Sequence, residues 1–502
     1  MPFTAISHET LLRSQESAVD KLFPGYCPSP NEECCPTSSR KAQQAFCSLV
    51  RCCLTPVGIS RLACAKTVTR RMVNQNAGLP DHFSLDKVIR PNILSLKPYR
   101  CARDDYERGI LLDANENSLG SALSPTEEFE QQALPAQQLS PEHGGLNIHS
   151  LSLHRYPSPS QIPIKQNLCD YRNSIQPDLP PLEPANVFLG VGSDEILDLL
   201  FRIACKPGDS EGIGDQVIVT PPTYGMYSVC AKVNDVGMIN VPLNVEGGAF
   251  TVDLEHLDSQ LSQGSSSRPI KLVILCSPGN PTGTTIPLGT IEKILSNPKF
   301  NGILVVDEAY IDFAGNEKSA IKLVRQGWRN LIVTHTLSKG FGLAGIRLGI
   351  AYGSADLIQV LNNTKAPYTI SSPTSSLGYE ATKPDRLKAT EAHISKINEN
   401  RDWLQKELVK ITGLGKILGQ TEANFILIQV MSFDSPTDVD SQRAKSVYKY
   451  MAEDSELGQT PIVVRYRGDE LGCQGCLRIT VGSRLECQKL LEKLAQTLQL
   501  IH

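Results

Sequence analysis

"NVFLGVGSDEILDLLFRIA" (Asn186–Ala204) reads in one pass as a strand, a glycine turn and a helix, with Ile196, Leu199 and Leu200 recurring at helical spacing beyond Gly192. Strand-like runs return downstream at "QVIVTPP" (Gln216–Pro222), "KLVILCSP" (Lys271–Pro278) and "GILVVDEAY" (Gly302–Tyr310). Two more follow at "NLIVTHTLS" (Asn330–Ser338) and "RLGIAYG" (Arg347–Gly353). Several are near-continuous apolar runs rather than alternating ones. Strands buried on both faces have that composition, so the expectation is an α/β domain built on a mostly parallel sheet with helices on both faces.

Beyond about residue 366 the pattern changes. A long polar helical stretch (Arg386–Ile411) leads to the alternating runs "NFILIQV" (Asn424–Val430), "IVVRYRG" (Ile462–Gly468) and "CLRITVG" (Cys476–Gly482). A terminal helix carries Leu490, Leu491, Leu494 and Leu498 on one face. The expected organisation is a disordered extension over 1–83, an arm with a polar insertion over 84–153, a large domain over 154–366 and a smaller α+β domain over 367–502.

The chain has 502 residues, 40% hydrophobic and 20% charged, with net charge -4. These are the proportions of an ordinary globular protein, and mild acidity argues against nucleic acid as the main partner. No stretch approaches the roughly 20 apolar residues of a membrane span. Seven of 15 cysteines precede residue 65, without a Cys-x-x-Cys pair among them, so neither a disulfide framework nor a zinc site is expected there. No apolar signal-peptide core opens the sequence, and the expected compartment is the cytoplasm. Seven Lys/Arg and no acid lie between Arg40 and Arg71, which leaves a mitochondrial presequence as the lesser alternative. Cys473 and Cys476 form a Cys-x-x-Cys outside any thioredoxin-like context, and the nine histidines lack metal-ligand spacing; both sets read as structural.

The chemistry concentrates where the apolar runs end. In "THTLSKGFGLAGIRLG" (Thr334–Gly349) a strand ends at Ser338 and Lys339, and Arg347 follows after a run of glycines. Lys339 is either an exposed lysine in a glycine-rich turn or an amine able to form a Schiff base with a carbonyl cofactor, with Ser338 and Arg347 beside its phosphate. Asp307, leaving a buried strand, either caps the next element or pairs with a cation such as the protonated ring nitrogen of pyridoxal phosphate. Tyr310 follows three residues later, within reach of the ring's phenolic oxygen. "CSPGNPTGT" (Cys276–Thr284) is a turn, or a turn that also aims Asn280 at that oxygen. Gly192, Ser193 and Asp194 begin a helix whose free N–H groups suit a phosphate. Tyr224, in "PPTYGMY" (Pro221–Tyr227), either packs in the core or stacks on a planar cofactor.

Taken in order, "RPNILSLKPYR", "LLDANEN", "PPTYGMY", "CSPGNPTG", "VVDEAYIDF", "TLSKGFGLAGIRLG" and "GCLRITVGS" resemble the class-II, fold-type I pyridoxal-phosphate aminotransferases, specifically the histidinol-phosphate aminotransferase family. The likeness runs from about Phe83 to the C-terminus, apart from the loop after Asn117. It implies pyridoxal 5'-phosphate as cofactor, with L-histidinol phosphate and 2-oxoglutarate/glutamate as substrates. It also implies Lys339 as Schiff-base lysine and proton carrier, Asp307 on the pyridine nitrogen, and Asn280 and Tyr310 on the phenolic oxygen. Gly192, Ser193, Asp194, Ser338 and Arg347 would surround the phosphate, with Tyr224 on the ring. Tyr156 matches a tyrosine that reaches the neighbouring subunit's cofactor, implying a homodimer. Arg478 and Arg465 match the substrate arginines, and Asn117 stands where bacterial members commonly have tyrosine, on the imidazole side. Aromatic-amino-acid aminotransferases and threonine-phosphate decarboxylases share the fold, and a pyridoxal-phosphate-binding regulator is a more distant alternative. The helix-turn-helix pattern such a regulator would need in 1–83 is not found.

Overall fold

The computed structural model describes residue 79 and residues 82–97, 151–208, 214–264, 268–453 and 461–502. Asn117, the segment Gly109–Asn117 and the polar stretch up to residue 150 lie outside the described residues.

Seven strands form the main sheet: β1 (Val187–Val191), β2 (Gln216–Val219), β3 (Gly237–Asn240), β4 (Ile270–Cys276), β5 (Ile303–Asp307), β6 (Leu331–Thr336) and β7 (Leu348–Gly353). Their order is β1-β7-β6-β5-β4-β2-β3. β7 runs antiparallel to both its neighbours, β1 and β6, and the other pairs are parallel. Every residue of β5, β6 and β7 is buried, as the continuous apolar runs require. Because side chains alternate across a strand, Leu304 and Val306 of β5 enter the core on one face and Ile303 and Val305 the core on the other. Helix α1 (Ile162–Ile175) packs on the first face through Ile164 and Leu168, and helix α2 (Gly192–Ala204) on the second through Ile196, Leu200 and Ile203.

A second sheet contains β8 (Leu414–Leu418), β9 (Phe425–Val430), β10 (Arg465–Tyr466) and β11 (Cys476–Thr480) in the antiparallel order β10-β11-β9-β8. Helices α3 (Pro384–Leu408), α4 (Ser441–Glu453) and α5 (Arg484–Leu500) contribute Leu404, Met451, Leu490, Leu494 and Leu498 to a core with Ile426, Ile428, Leu477 and Ile479. A capping box starts α5: Ser483 Oγ accepts from the Glu486 N–H, and the Glu486 carboxylate accepts from the Ser483 N–H at 2.7 Å.

One strand departs from the sequence expectation in extent, and two more lie outside the expected runs. The run Ile462–Gly468 pairs only at Arg465 and Tyr466, because the chain then folds into successive turns closed by Glu470 N to Arg467 O (3.0 Å) and Cys473 N to Glu470 O (3.0 Å). β3 and β8 lack long buried apolar runs: both are edge strands, and β3 alternates between half-buried and exposed residues. Cys473 and Cys476 are free and buried, and burial pushes the Cys473 thiol up to about 12, away from redox reactivity. Among the described residues no helix is long and apolar enough to cross a membrane.

Candidate active site

A cavity of about 170 Å³ lies where β1, β4, β5 and β6 end and β7 begins. Open α/β sheets gather ligands at this edge. Ser193, Asp194, Tyr224, Asn280, Asp307, Tyr310, Ser338, Lys339 and Arg347 line it together with Cys276, Ala309, Thr336 and Ala344. Nine side chains singled out in the sequence therefore converge from six segments of the chain.

Asp307 is 3% exposed at the end of β5. Tyr227 donates to its Oδ2 at 2.7 Å and Thr334 to its Oδ1 at 3.0 Å. Burial raises the Asp307 pKa, opposed by these two donors and by the Ala309 backbone. Among the described residues it forms no ion pair. A buried carboxylate compensated only by neutral donors suits a cationic N–H group, such as a protonated pyridine nitrogen.

Lys339 Nζ lies 5.5 Å from the centroid of the Tyr310 ring. Burial, then the neighbouring Arg478 charge, lowers the lysine pKa and favours the free amine. Burial pushes the Tyr310 phenol up to about 12, so it remains a donor, with Arg478 opposing the shift. Arg478 reaches in from β11, donates to Asn280 Oδ1 and stacks its guanidinium 5.2 Å from the Phe425 ring.

At the other end of the cavity the α2 N-terminus meets Arg347. Gly192 has φ 70, and a Cβ there would fall 2.6 Å from Arg347 Nη2. Glycine thus keeps the first turn of α2 open beside a guanidinium, with Ser193 and Ser338 nearby, an arrangement that fits a phosphate. The Asp194 carboxylate accepts from Tyr224 Oη and from Arg347 Nη2, each at 3.2 Å, and so ties these two side chains together. Ser338 is set by Thr336, whose hydroxyl donates to Ser338 Oγ at 2.9 Å.

Four of the described expected residues do not line the cavity: Gly192 and Arg478 contact residues that do, and the other two are Tyr156 and Arg465. Tyr156 is exposed and stacks on Tyr368 with centroids 4.6 Å apart. Arg465 is exposed on β10, although its backbone stands directly opposite Arg478. Tyr227, Thr334 and Thr336 are site residues that sequence patterns did not single out. The available signals are threonines two apart, flanking His335 at the end of β6, and a second tyrosine within "PPTYGMY".

The fold and the site together define a class I and II aminotransferase: the chain belongs to that family, whose model matches residues 107–494. Within it the chain groups with the histidinol-phosphate aminotransferases. It is 43% identical over 417 residues to that of Schizosaccharomyces pombe, covering 83% of this chain and 98% of the relative. It is 42% identical over 422 residues to that of Saccharomyces cerevisiae, covering 83% and 98%. In fold it is similar to the histidinol-phosphate aminotransferase of Clostridium acetobutylicum, with TM-score 0.56 and 19% identity over 69% of this chain and 91% of that one. The Sinorhizobium meliloti enzyme in complex with pyridoxal-5'-phosphate matches with TM-score 0.57 and 20% identity over 70% and 84%. The cofactor of the family is pyridoxal 5'-phosphate.

Proposed function

We propose that this chain is the histidinol-phosphate transaminase of histidine biosynthesis, moving the amino group of L-histidinol phosphate to 2-oxoglutarate. The products are imidazole-acetol phosphate and L-glutamate. The observation that carries the reading is the convergence of Lys339, Asp307, Asn280, Tyr310, Ser338 and Arg347 on one cavity, with Arg478 at Asn280.

Pyridoxal phosphate, when bound, supplies the electron sink for charge developing at the substrate Cα. Asp307 would hold its ring nitrogen, Asn280 and Tyr310 its phenolic oxygen, and the α2 N-terminus with Ser193, Ser338 and Arg347 its phosphate. Tyr224, tethered to Asp194, would cover one face of the ring. Lys339, whose burial favours the free amine, takes up and returns the proton at the substrate Cα. Arg478 grips the anionic end of either substrate, the phosphate of one and a carboxylate of the other, because a planar guanidinium matches both. Arg465, one strand over and level with Arg478, supplies a second positive charge, and Asn117 belongs to the imidazole side. The working unit is a cytoplasmic homodimer in which Tyr156 serves the neighbouring subunit's site; the outward position of Tyr156 supports this.

The test is an absorbance titration of cofactor-loaded protein with L-histidinol phosphate, tyrosine, phenylalanine and phosphothreonine. Conversion to the pyridoxamine form at the lowest concentration is expected with histidinol phosphate. A response confined to the aromatic amino acids would keep the chemistry and overturn the substrate.

A further inference from the structure

Tyr227 is 1% exposed, yet it is a tyrosine rather than a phenylalanine. Its helix (Met226–Val233) carries the phenol beneath the cavity, where its oxygen lies 2.7 Å from Asp307 Oδ2. An ionised carboxylate only accepts, so the phenol donates. Thr334, level with Asp307 on the adjacent strand β6, donates to the other oxygen at 3.0 Å. Each carboxylate oxygen therefore has one side-chain donor, beside the contact with the Ala309 backbone, and the plane of the carboxylate is set from two sides. A third polar neighbour, Cys276, stands level with Asp307 on β4, and its thiol donates to the Pro278 carbonyl at 3.4 Å.

We propose that Tyr227 is a positioning residue of the cofactor site, setting the orientation and acceptor strength of Asp307 toward the protonated ring nitrogen. The proposal rests on the aminotransferase reading and adds to it a residue that does not line the cavity. A single hydroxyl carries the effect. Removing it leaves Asp307 free to turn about Thr334, and takes away a charge-assisted hydrogen bond in a site from which water is largely excluded.

The experiment measures equilibrium binding of two probes to cofactor-free protein, by quenching of tryptophan fluorescence. One is pyridoxal 5'-phosphate; the other is its deaza analogue, with C–H in place of the ring nitrogen. The unsubstituted protein should prefer the nitrogen-bearing probe. Tyr227→Phe should weaken that probe about tenfold, the loss of one hydrogen bond to a charged group, while changing the analogue by less than about twofold. Thr334→Val, which empties the other oxygen and preserves side-chain shape, should reproduce the selective loss; Thr334→Ser should restore binding. These variants keep the test decisive if Tyr227→Phe does not fold. Equal losses for both probes would reduce the hydroxyls to packing and overturn the proposal, as would no loss for either. Failure of the unsubstituted protein to distinguish the probes would instead overturn the pairing of Asp307 with a ring nitrogen, and with it the underlying reading.

Discussion

Arg478 on β11 donates a hydrogen bond to Asn280, which follows β4, so a residue of the four-stranded sheet is joined to one beside the seven-stranded sheet across 198 residues of sequence. The bond places the positive charge proposed to grip an anionic substrate against the amide proposed to hold the cofactor. Phe425, also from the smaller sheet, braces both Arg478 and Tyr310, whose ring it meets edge-on at 5.1 Å.

Arg478→Lys should therefore be costly despite keeping the charge. Lysine loses the planar two-point grip and the stacking on Phe425. The expected outcome is a KM for L-histidinol phosphate raised roughly 10- to 100-fold, with a smaller change in kcat, because the lost contact is made in the ground state as well as the transition state. Steady-state kinetics with both amino donors would check it, and L-glutamate should show a parallel loss.

The shared-site reading predicts complementation. Lys339→Ala and Tyr156→Phe homodimers should each turn over poorly, the former by at least about 10²-fold from loss of the proton carrier. A mixed dimer contains one site with both Lys339 and Tyr156 intact. Co-refolding the two variants should recover activity in proportion to the mixed species. No recovery would remove Tyr156 from its neighbour's site.

Gly349 is required by close packing. A Cβ there would sit 2.2 Å from the Gly192 backbone, between β7 and the start of α2. Gly349→Ala must push α2 away from Arg347, whose carbonyl accepts from the Gly192 N–H at 2.9 Å. The expected cost is about 2 kcal/mol or more of stability, together with weaker cofactor binding, read by chemical denaturation and by cofactor titration.

Glu308 gives a pH signature. It is 1% exposed, accepting from Ser319 Oγ at 2.6 Å and from the Ala320 N–H at 2.5 Å. Burial raises its pKa to about 7, opposed by those donors and by Arg172, while Asp312 adds to the rise. The native state thus binds a proton more tightly than the unfolded chain does. The resulting stability is full below the ordinary glutamate pKa of 4.5 and is lost as pH rises to about 7. Glu308→Gln, whose oxygen still accepts from Ala320, should flatten unfolding free energy across that window when denaturation is followed at a series of pH values.

The residues legible from sequence share a position. Lys339 and Asn280 stand where an apolar run stops and glycine or proline begins, Asp307 closes an apolar run and Arg347 immediately precedes one, so local pattern marks both the strand edge and the chemistry upon it. Tyr227 and Thr334 carry no such mark. Their importance comes from hydrogen bonds to Asp307 across 80 and 27 residues, a relation that exists only after the strands pair. Arg465 shows the converse: the resemblance implies a second substrate arginine there, while the register of a two-residue strand places it level with Arg478, exposed and outside the cavity wall.

Consecutive residues alone carry the alternation of strands and helices, the burial of the central strands on both faces, and the set of groups able to hold a phosphate and a pyridine ring. Hydrophobic periodicity and turn chemistry are local properties, so they can be read without knowing where the chain goes next. Folding in three dimensions adds the rest: β7 runs against its neighbours, Asp194 binds Tyr224 and Arg347, Arg478 reaches Asn280, and Asp307 is held from two sides. Those are contacts between distant segments, set by strand order and register, and no short-range pattern encodes them.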